Sequence, residues 1–202
     1  MATRGFTGRR PAADAAKRLP PGQSKTDDFP VLSFGPTPRV DLAAWTFTLY
    51  HGPRPLAAWS WREFLALPRT TWQRDIHCVT KWSKFDTVWE GTTIDDLFAA
   101  AGVTPPTPYL LAISHDDYDT NVAVADLVDG KAMIATHYAG APIPPEHGGP
   151  ARLLVPHLYF WKSAKWVKAL RFTARDEAGF WELRGYHMRG DPWREQRYTN
   201  DP

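Results

Sequence analysis

The chain has 202 residues, 43% of them hydrophobic and 23% charged, an ordinary globular composition with enough length to bury a core without a disulfide or metal staple. Its single cysteine, Cys78, excludes an internal disulfide and any cysteine-cluster zinc or iron–sulfur site, and no apolar run reaches the ~18 residues a membrane helix needs. A net charge of +2 exerts no general pull toward nucleic acid, and 19 prolines with 10 tryptophans and 10 phenylalanines describe a loop-rich, aromatic-rich fold, not a helical bundle.

Residues 1–25 carry Arg4, Arg9, Arg10, Lys17, Arg18 and Lys25 against one acid, Asp14. This Pro/Gly-rich head reads as a basic flexible or surface-wrapping arm, and residues 26–202 read as one domain. No apolar stretch follows Arg9-Arg10, so an export signal is unsupported and the cytoplasm is the expected location. Residues 43–50 alternate with period two and predict a strand, ended by a Gly52-Pro53 turn. Ser60-Trp61-Arg62-Glu63 is a capping box opening a short helix to about Leu67, before Pro68. Residues 71–79 alternate again, with Trp72, Arg74, Ile76 and Cys78 on one face and Gln73, Asp75, His77 and Val79 on the other. Thr93 and Asp96 predict a second helix cap, with an end near Gly102. Further strands are predicted at 109–114, 132–137, 151–156 and 166–173, with a short helix near 122–128 and a Pro/Gly loop at 141–150. Many short strands with a few short helices specify the α+β class.

Three features could carry chemistry. Cys78 reads as an inert core thiol, a nucleophile or a soft-metal ligand; a thiolate needs a neighbouring positive charge or a metal at neutral pH. His147-Gly148-Gly149-Pro150-Ala151-Arg152 forms a tight loop whose backbone can approach a ligand, with Arg152 at the start of a strand. From Ala151 to Arg171 there are five basic residues and no acid, interleaved with Phe160, Trp161 and Trp166. That pattern suits a nucleic-acid strand stacked on aromatics. It equally suits one phosphorylated, ring-bearing cofactor held by an Arg fork and a Lys point charge. On a nearly neutral chain the short patch favours the small ligand. The seven histidines show no metal-ligand spacing, and Asp116-Asp117 reads as a solvated turn. Two other classes stay open: a hydrolase using Cys78 with a distant histidine, and a nucleic-acid-binding module using the 151–171 patch.

Four blocks in one register resemble the sulfite-oxidase-like molybdopterin oxidoreductases over roughly residues 29–198. They are His77-Cys78-Val79-Thr80-Lys81-Trp82-Ser83; Trp89-Glu90-Gly91; Ala139-Gly140 through His147-Gly148-Gly149-Pro150-Ala151-Arg152 to Val155-Pro156; and Lys162-Ser163-Ala164-Lys165-Trp166. The nearest likeness is to the small bacterial single-domain branch, which includes a methionine-sulfoxide reductase catalytic subunit. The resemblance implies the family's mixed sheets with short helices and a molybdenum–molybdopterin cofactor in its phosphate form. It implies Cys78 as the metal ligand, in keeping with soft-ligand preference. It implies cofactor contacts from Thr80, His147, Arg152, Lys162, Ser163 and Lys165, and catalytic roles for Cys78, Trp82 and Tyr138. His115, Tyr118 and His137 are further substrate-side candidates. The sulfite oxidases' arginine after the metal cysteine is replaced here by the Trp82-Ser83 region, so the implied small-molecule substrate is not sulfite. A chain this short leaves no room for a haem domain or the family's dimerisation domain. The implied partner is therefore a separate haem, flavin or ferredoxin-type carrier, with the protein a monomer. A cofactor-holding protein without turnover fits the same residues. The tail around Trp181-Glu182-Leu183-Arg184-Gly185-Tyr186-His187 resembles a late family block and is expected to close over the site.

Overall fold

The structure, a computed structural model, describes residues 17–202. Arg9-Arg10 and the rest of 1–16 lie outside the described residues. Among the described residues, two sheets, two short α-helices and five 3-10 turns make up the regular structure, as the α+β reading expects.

The first sheet joins β1 (Ser24–Lys25), β4 (Thr70–His77), β5 (Trp82–Thr93), β8 (Met133–Tyr138), β9 (Ala141–Pro142) and β10 (Arg152–Leu154). β5 is its spine. β4 runs antiparallel along β5, β8 pairs antiparallel with its second half, and β1 pairs parallel with Trp82 and Ser83. The second sheet runs in the order β3 (Arg54–Ser60), β2 (Thr46–His51), β11 (Val167–Thr173), β6 (Tyr109–Ser114) and β7 (Asp119–Ala123), with only β2 and β11 parallel. Helix α1 (Trp61–Leu65) carries the expected capping box: Ser60 Oγ accepts from Glu63 N, and Ser60 N donates to Glu63 Oε2 at 2.8 Å. Helix α2 (Ile94–Ala101) starts at Thr93, whose Oγ1 accepts from Asp96 N at 3.0 Å, and stops at left-handed Gly102.

The main core packs β2, β6, β10, β11 and α2 around Trp45, Phe47, Ile94, Leu97, Leu153 and Leu170. A second cluster, including Trp72, Ile76, Trp89, Met133, Leu154 and Phe160, backs the first sheet, with Phe29 and Trp82 against it. No helix among the described residues is long and apolar enough to cross a membrane.

Three expectations need correction. The helix expected near 122–128 is the end of β7 followed by a single 3-10 turn at Val124–Asp126. Strict alternation in β4 fails where the pairing register shifts between Arg74 and Ile76, so Ile76 and His77 are both buried although adjacent. Five strands escaped the pattern: β3, the long β5, β7, and the two-residue β1 and β9. Within residues 17–25, β1 pairs with β5, and Arg18 pairs with Asp75 and Asp86.

Candidate active site

β4 and β5 are joined by a four-residue turn, Cys78 to Lys81. Cys78 N donates to Trp82 O at 2.8 Å, Lys81 N donates to Cys78 O at 3.0 Å, and Lys81 takes φ +72° to close the turn. Cys78 Sγ accepts from Thr80 Oγ1 at 3.2 Å. Both ends of the chain hold this turn. Gln23 Nε2 donates to Cys78 O at 3.0 Å, and Arg197 Nη1 donates to Val79 O at 2.9 Å. Burial pushes the Cys78 thiol up, partly offset by the hydrogen bonds it accepts. His77 does not share the cavity that Cys78 lines. It is buried against Ser83, Nδ1 to Oγ 2.8 Å, and burial lowers it to about 4, so it is neutral at physiological pH.

Cys78 opens onto a cavity of about 320 Å³. Thr80, Trp82, His147, Arg152, Ser163 and Lys165 line it too, which brings together six of the sequence-predicted residues around the cysteine. The 3-10 turn Pro145–His147 ends at Gly148, φ +105°, where a Cβ would come within 2.9 Å of the Lys165 Cβ; only glycine lets these two segments approach. The His147 ring stacks on Phe29 with centroids 4.0 Å apart.

Arg152 is the unusual group. Its residue is 1% exposed, yet no carboxylate pairs with it among the described residues. Nη1 and Nη2 donate to the carbonyls of His147 and Ser163, both at 2.7 Å, and the guanidinium lies 4.1 Å from the centre of the Phe160 ring. Burial without an acid lowers Arg152 to about 9. Lys165 is lowered to about 8, by burial and then by Arg152. Its ammonium donates to Leu32 O, Ser33 Oγ and Glu146 O, all neutral acceptors; Asp116 and Glu146 favour its charge only from longer range, with no ion pair among the described residues. Arg152 Nε, His147 Nδ1 and Trp82 Nε1 are buried with no hydrogen-bond partner among the described residues, and all three side chains line the cavity. Buried donors left bare cost stability unless a ligand meets them. Two cations without an ion-pair partner among the described residues, three bare nitrogens, an aromatic wall and one soft sulfur fit an anionic, ring-bearing group with a soft metal.

Other expectations did not meet at the cavity. Lys162 is fully buried with its ammonium on Glu182 at 2.6 Å, behind the cavity wall. Tyr138 packs against Trp89 and Phe29, at 4.7 and 5.1 Å between centroids, and does not line the cavity. His137 is held by Arg69 at 3.0 Å, and His115 lines a separate hollow on the second sheet. The 151–171 patch is not a surface for a nucleic-acid strand, since Arg152, Lys162, Trp161 and Trp166 are all buried. Asp116 corrects the solvated-turn reading: it lines the cavity beside Tyr118, and burial raises it. Phe29 is a cavity residue the pattern gave no means of finding, while Phe160 comes from the basic-aromatic patch. Trp181 and Tyr186 form one wall, stacked at 5.0 Å, which places the tail over the cavity as expected.

Comparison with known proteins points the same way. The family model described as oxidoreductase molybdopterin binding domain matches residues 34–181. The chain is 40% identical over 197 residues to the uncharacterized oxidoreductase YuiH of Bacillus subtilis, covering 97% of this chain and 100% of that protein. It is 28% identical over 133 residues to YedZ1 of Azospira oryzae, provisionally assigned as a protein-methionine-sulfoxide reductase subunit; the match covers 66% of this chain and half of that one (50%). Among solved structures, the sulfane dehydrogenase SoxCD from Paracoccus pantotrophus superposes with a TM-score of 0.60 at 21% identity, over 69% of this chain and 40% of that one, a likeness of fold. With the cysteine and the acid-free arginine meeting in one cavity, this chain belongs to the oxidoreductase molybdopterin-binding domain family and is a molybdopterin-dependent oxidoreductase.

Proposed function

We propose that the protein moves an oxygen atom or electrons to or from a small substrate other than sulfite, and exchanges electrons with a separate carrier protein of haem, flavin or ferredoxin type. The observation that carries the reading is the meeting of the lone cysteine with the buried, acid-free Arg152 in one aromatic-walled cavity. When bound, a molybdenum–pterin group supplies two-electron redox chemistry that protein side chains lack.

The chain's own residues then divide the work. Cys78 would hold the metal as thiolate, since coordination removes the proton that burial keeps on the free thiol. Arg152 and Lys165 would take the phosphate of a pterin in its phosphate form, with the bare His147 and Trp82 nitrogens available to ring acceptors. Thr80 orients the sulfur by donating to it. Trp161, Trp181 and Tyr186 exclude water from the far side. An anionic substrate finds no cation beyond Arg152 and Lys165 in the cavity lining, which supports a substrate other than sulfite. A hydrolase pairing Cys78 with a distant histidine is disfavoured: burial holds the thiol protonated, and its side-chain hydrogen bond among the described residues comes from Thr80 and not from His147 or another histidine.

Elemental analysis of protein made in a host able to synthesise the cofactor tests the proposal. One molybdenum per chain, with pterin fluorescence after oxidation, is expected. Cys78→Ala should lower molybdenum at least about ten-fold while pterin stays bound through Arg152 and Lys165. Molybdenum retained in full by Cys78→Ala would remove the cysteine from the centre.

A further inference from the structure

The sequence pattern puts Lys162 with the cofactor-binding cations, but the structure spends its charge elsewhere. An ammonium has three N–H donors. Those of Lys162 go to Asn121 O at 3.0 Å, Asn121 Oδ1 at 2.6 Å and Glu182 Oε1 at 2.6 Å. Lys162 and Glu182 side chains are both 0% exposed. Glu182 Oε1 also accepts from Trp161 Nε1 at 2.7 Å and from Thr120 Oγ1 at 3.1 Å. Asn121 then reaches both flanks of the tail, its Nδ2 donating to Asp176 Oδ1 at 2.6 Å and to Met188 O at 3.0 Å.

The tail bracketed by these bonds supplies a wall of the cavity. Trp181 precedes Glu182 directly, stacks on Tyr186, and Tyr186 meets Trp161 edge-on at 5.0 Å. Each of these rings lines the cavity, and the one side chain between them that enters the interior as an ion is Glu182.

We infer that the Lys162–Glu182 pair, with Asn121, is the anchor that sets residues 176–190 on the cavity. Lys162 is a positioning residue for the Trp181–Tyr186 wall and not a ligand of the cofactor. That this wall faces a substrate rests on the function proposed above; the anchoring does not. Removing one partner of a buried pair leaves the other charge uncompensated. The consequence falls on the tail, because Lys162's other partner, Asn121, sits on β7, which has its own ladder with β6.

Hydrogen exchange on the full-length protein tests this, with molybdenum and pterin measured on the same samples. In Lys162→Met, amides of residues 176–190 should exchange about ten-fold faster while β6 and β11 keep their protection. Molybdenum and pterin per chain should stay within about two-fold of the parent. Adding Glu182→Gln to Lys162→Met should restore much of the protection, since the stranded carboxylate is gone. A role as cofactor ligand predicts the reverse: cofactor lost, tail exchange unchanged, no rescue by the second substitution; that result overturns the assignment. Should Lys162→Met not fold, Glu182→Gln alone serves. It keeps the side chain's shape and should speed tail exchange at least about three-fold; unchanged exchange overturns the anchor. Parent protein lacking both molybdenum and pterin would defeat the proposed function while the exchange result still decides the anchor.

Discussion

Arg152 is a cation folded into the interior with nothing to neutralise it, and Lys165 stands beside it. Both should welcome an anion. Inorganic phosphate added to cofactor-free protein should raise its unfolding free energy by mass action, about 2.7 kcal/mol at one hundred times Kd. The sign of the pH dependence follows from Lys165. Its value in the folded protein is about 8, below the usual 10.5, so the charge that attracts phosphate is present below pH 8 and lost above it. Phosphate stabilisation measured by thermal unfolding should therefore shrink as pH rises through 8, and should be absent in Arg152→Met. At this scale the sequence was readable in part. The glycine loop, Arg152 and Lys165 stood in a recognisable order. Lys162 looked equivalent to Lys165, because a run of basic residues cannot display a glutamate 20 positions further on. Asp116 looked solvated because the turn that aims it at the cavity depends on left-handed Asp117, φ +62°, which no local pattern announces.

Among the elements, those with clean local signals were legible. Both caps, Ser60 and Thr93, were readable from their own residues, and β6 matches its predicted span. β5 was not, because its twelve residues include Asp86 at φ +56° and a register shift at Glu90–Gly91, which scramble alternation. β3 begins at Arg54-Pro55, and a proline at a strand's start masks an edge strand. Gly91 marks where β5 and β8 approach: a Cβ there would overlap the Ile134 carbonyl. Gly91→Ala should destabilise by about 3 kcal/mol in denaturant unfolding. Two groups at element ends set the acid limit. Burial lowers His77 to about 4 from 6.5, so its protonation opposes the fold, and stability worth about 3 kcal/mol is lost as pH falls from 6.5 to 4. For Asp126, burial works upward, but hydrogen bonds from His157 and Arg189 hold it at about 2. Its contribution, about 2 kcal/mol, is present above 3.8 and lost as pH falls toward 2. His77→Gln should flatten the first limb of the stability curve and Asp126→Asn the second.

For the whole molecule, the α+β class was within reach of pattern and spacing and mixed sheets followed from the family resemblance, while the closing of the cavity was not within reach. That closure is made by contacts between distant parts of the chain: Phe29 on His147, Lys165 on Leu32 and Ser33, and Trp161 against Tyr186. We expect gel filtration to show a monomer of 22.8 kDa. The turn that carries Cys78 is held from outside the stretch that the family model matches, since Gln23 and Arg197 grip two of its peptide oxygens while that match runs from 34 to 181. Anyone shortening this gene to the matched core for expression would keep Cys78, Arg152 and Lys165 and discard the two hands that steady the sulfur's turn, along with most of the tail wall.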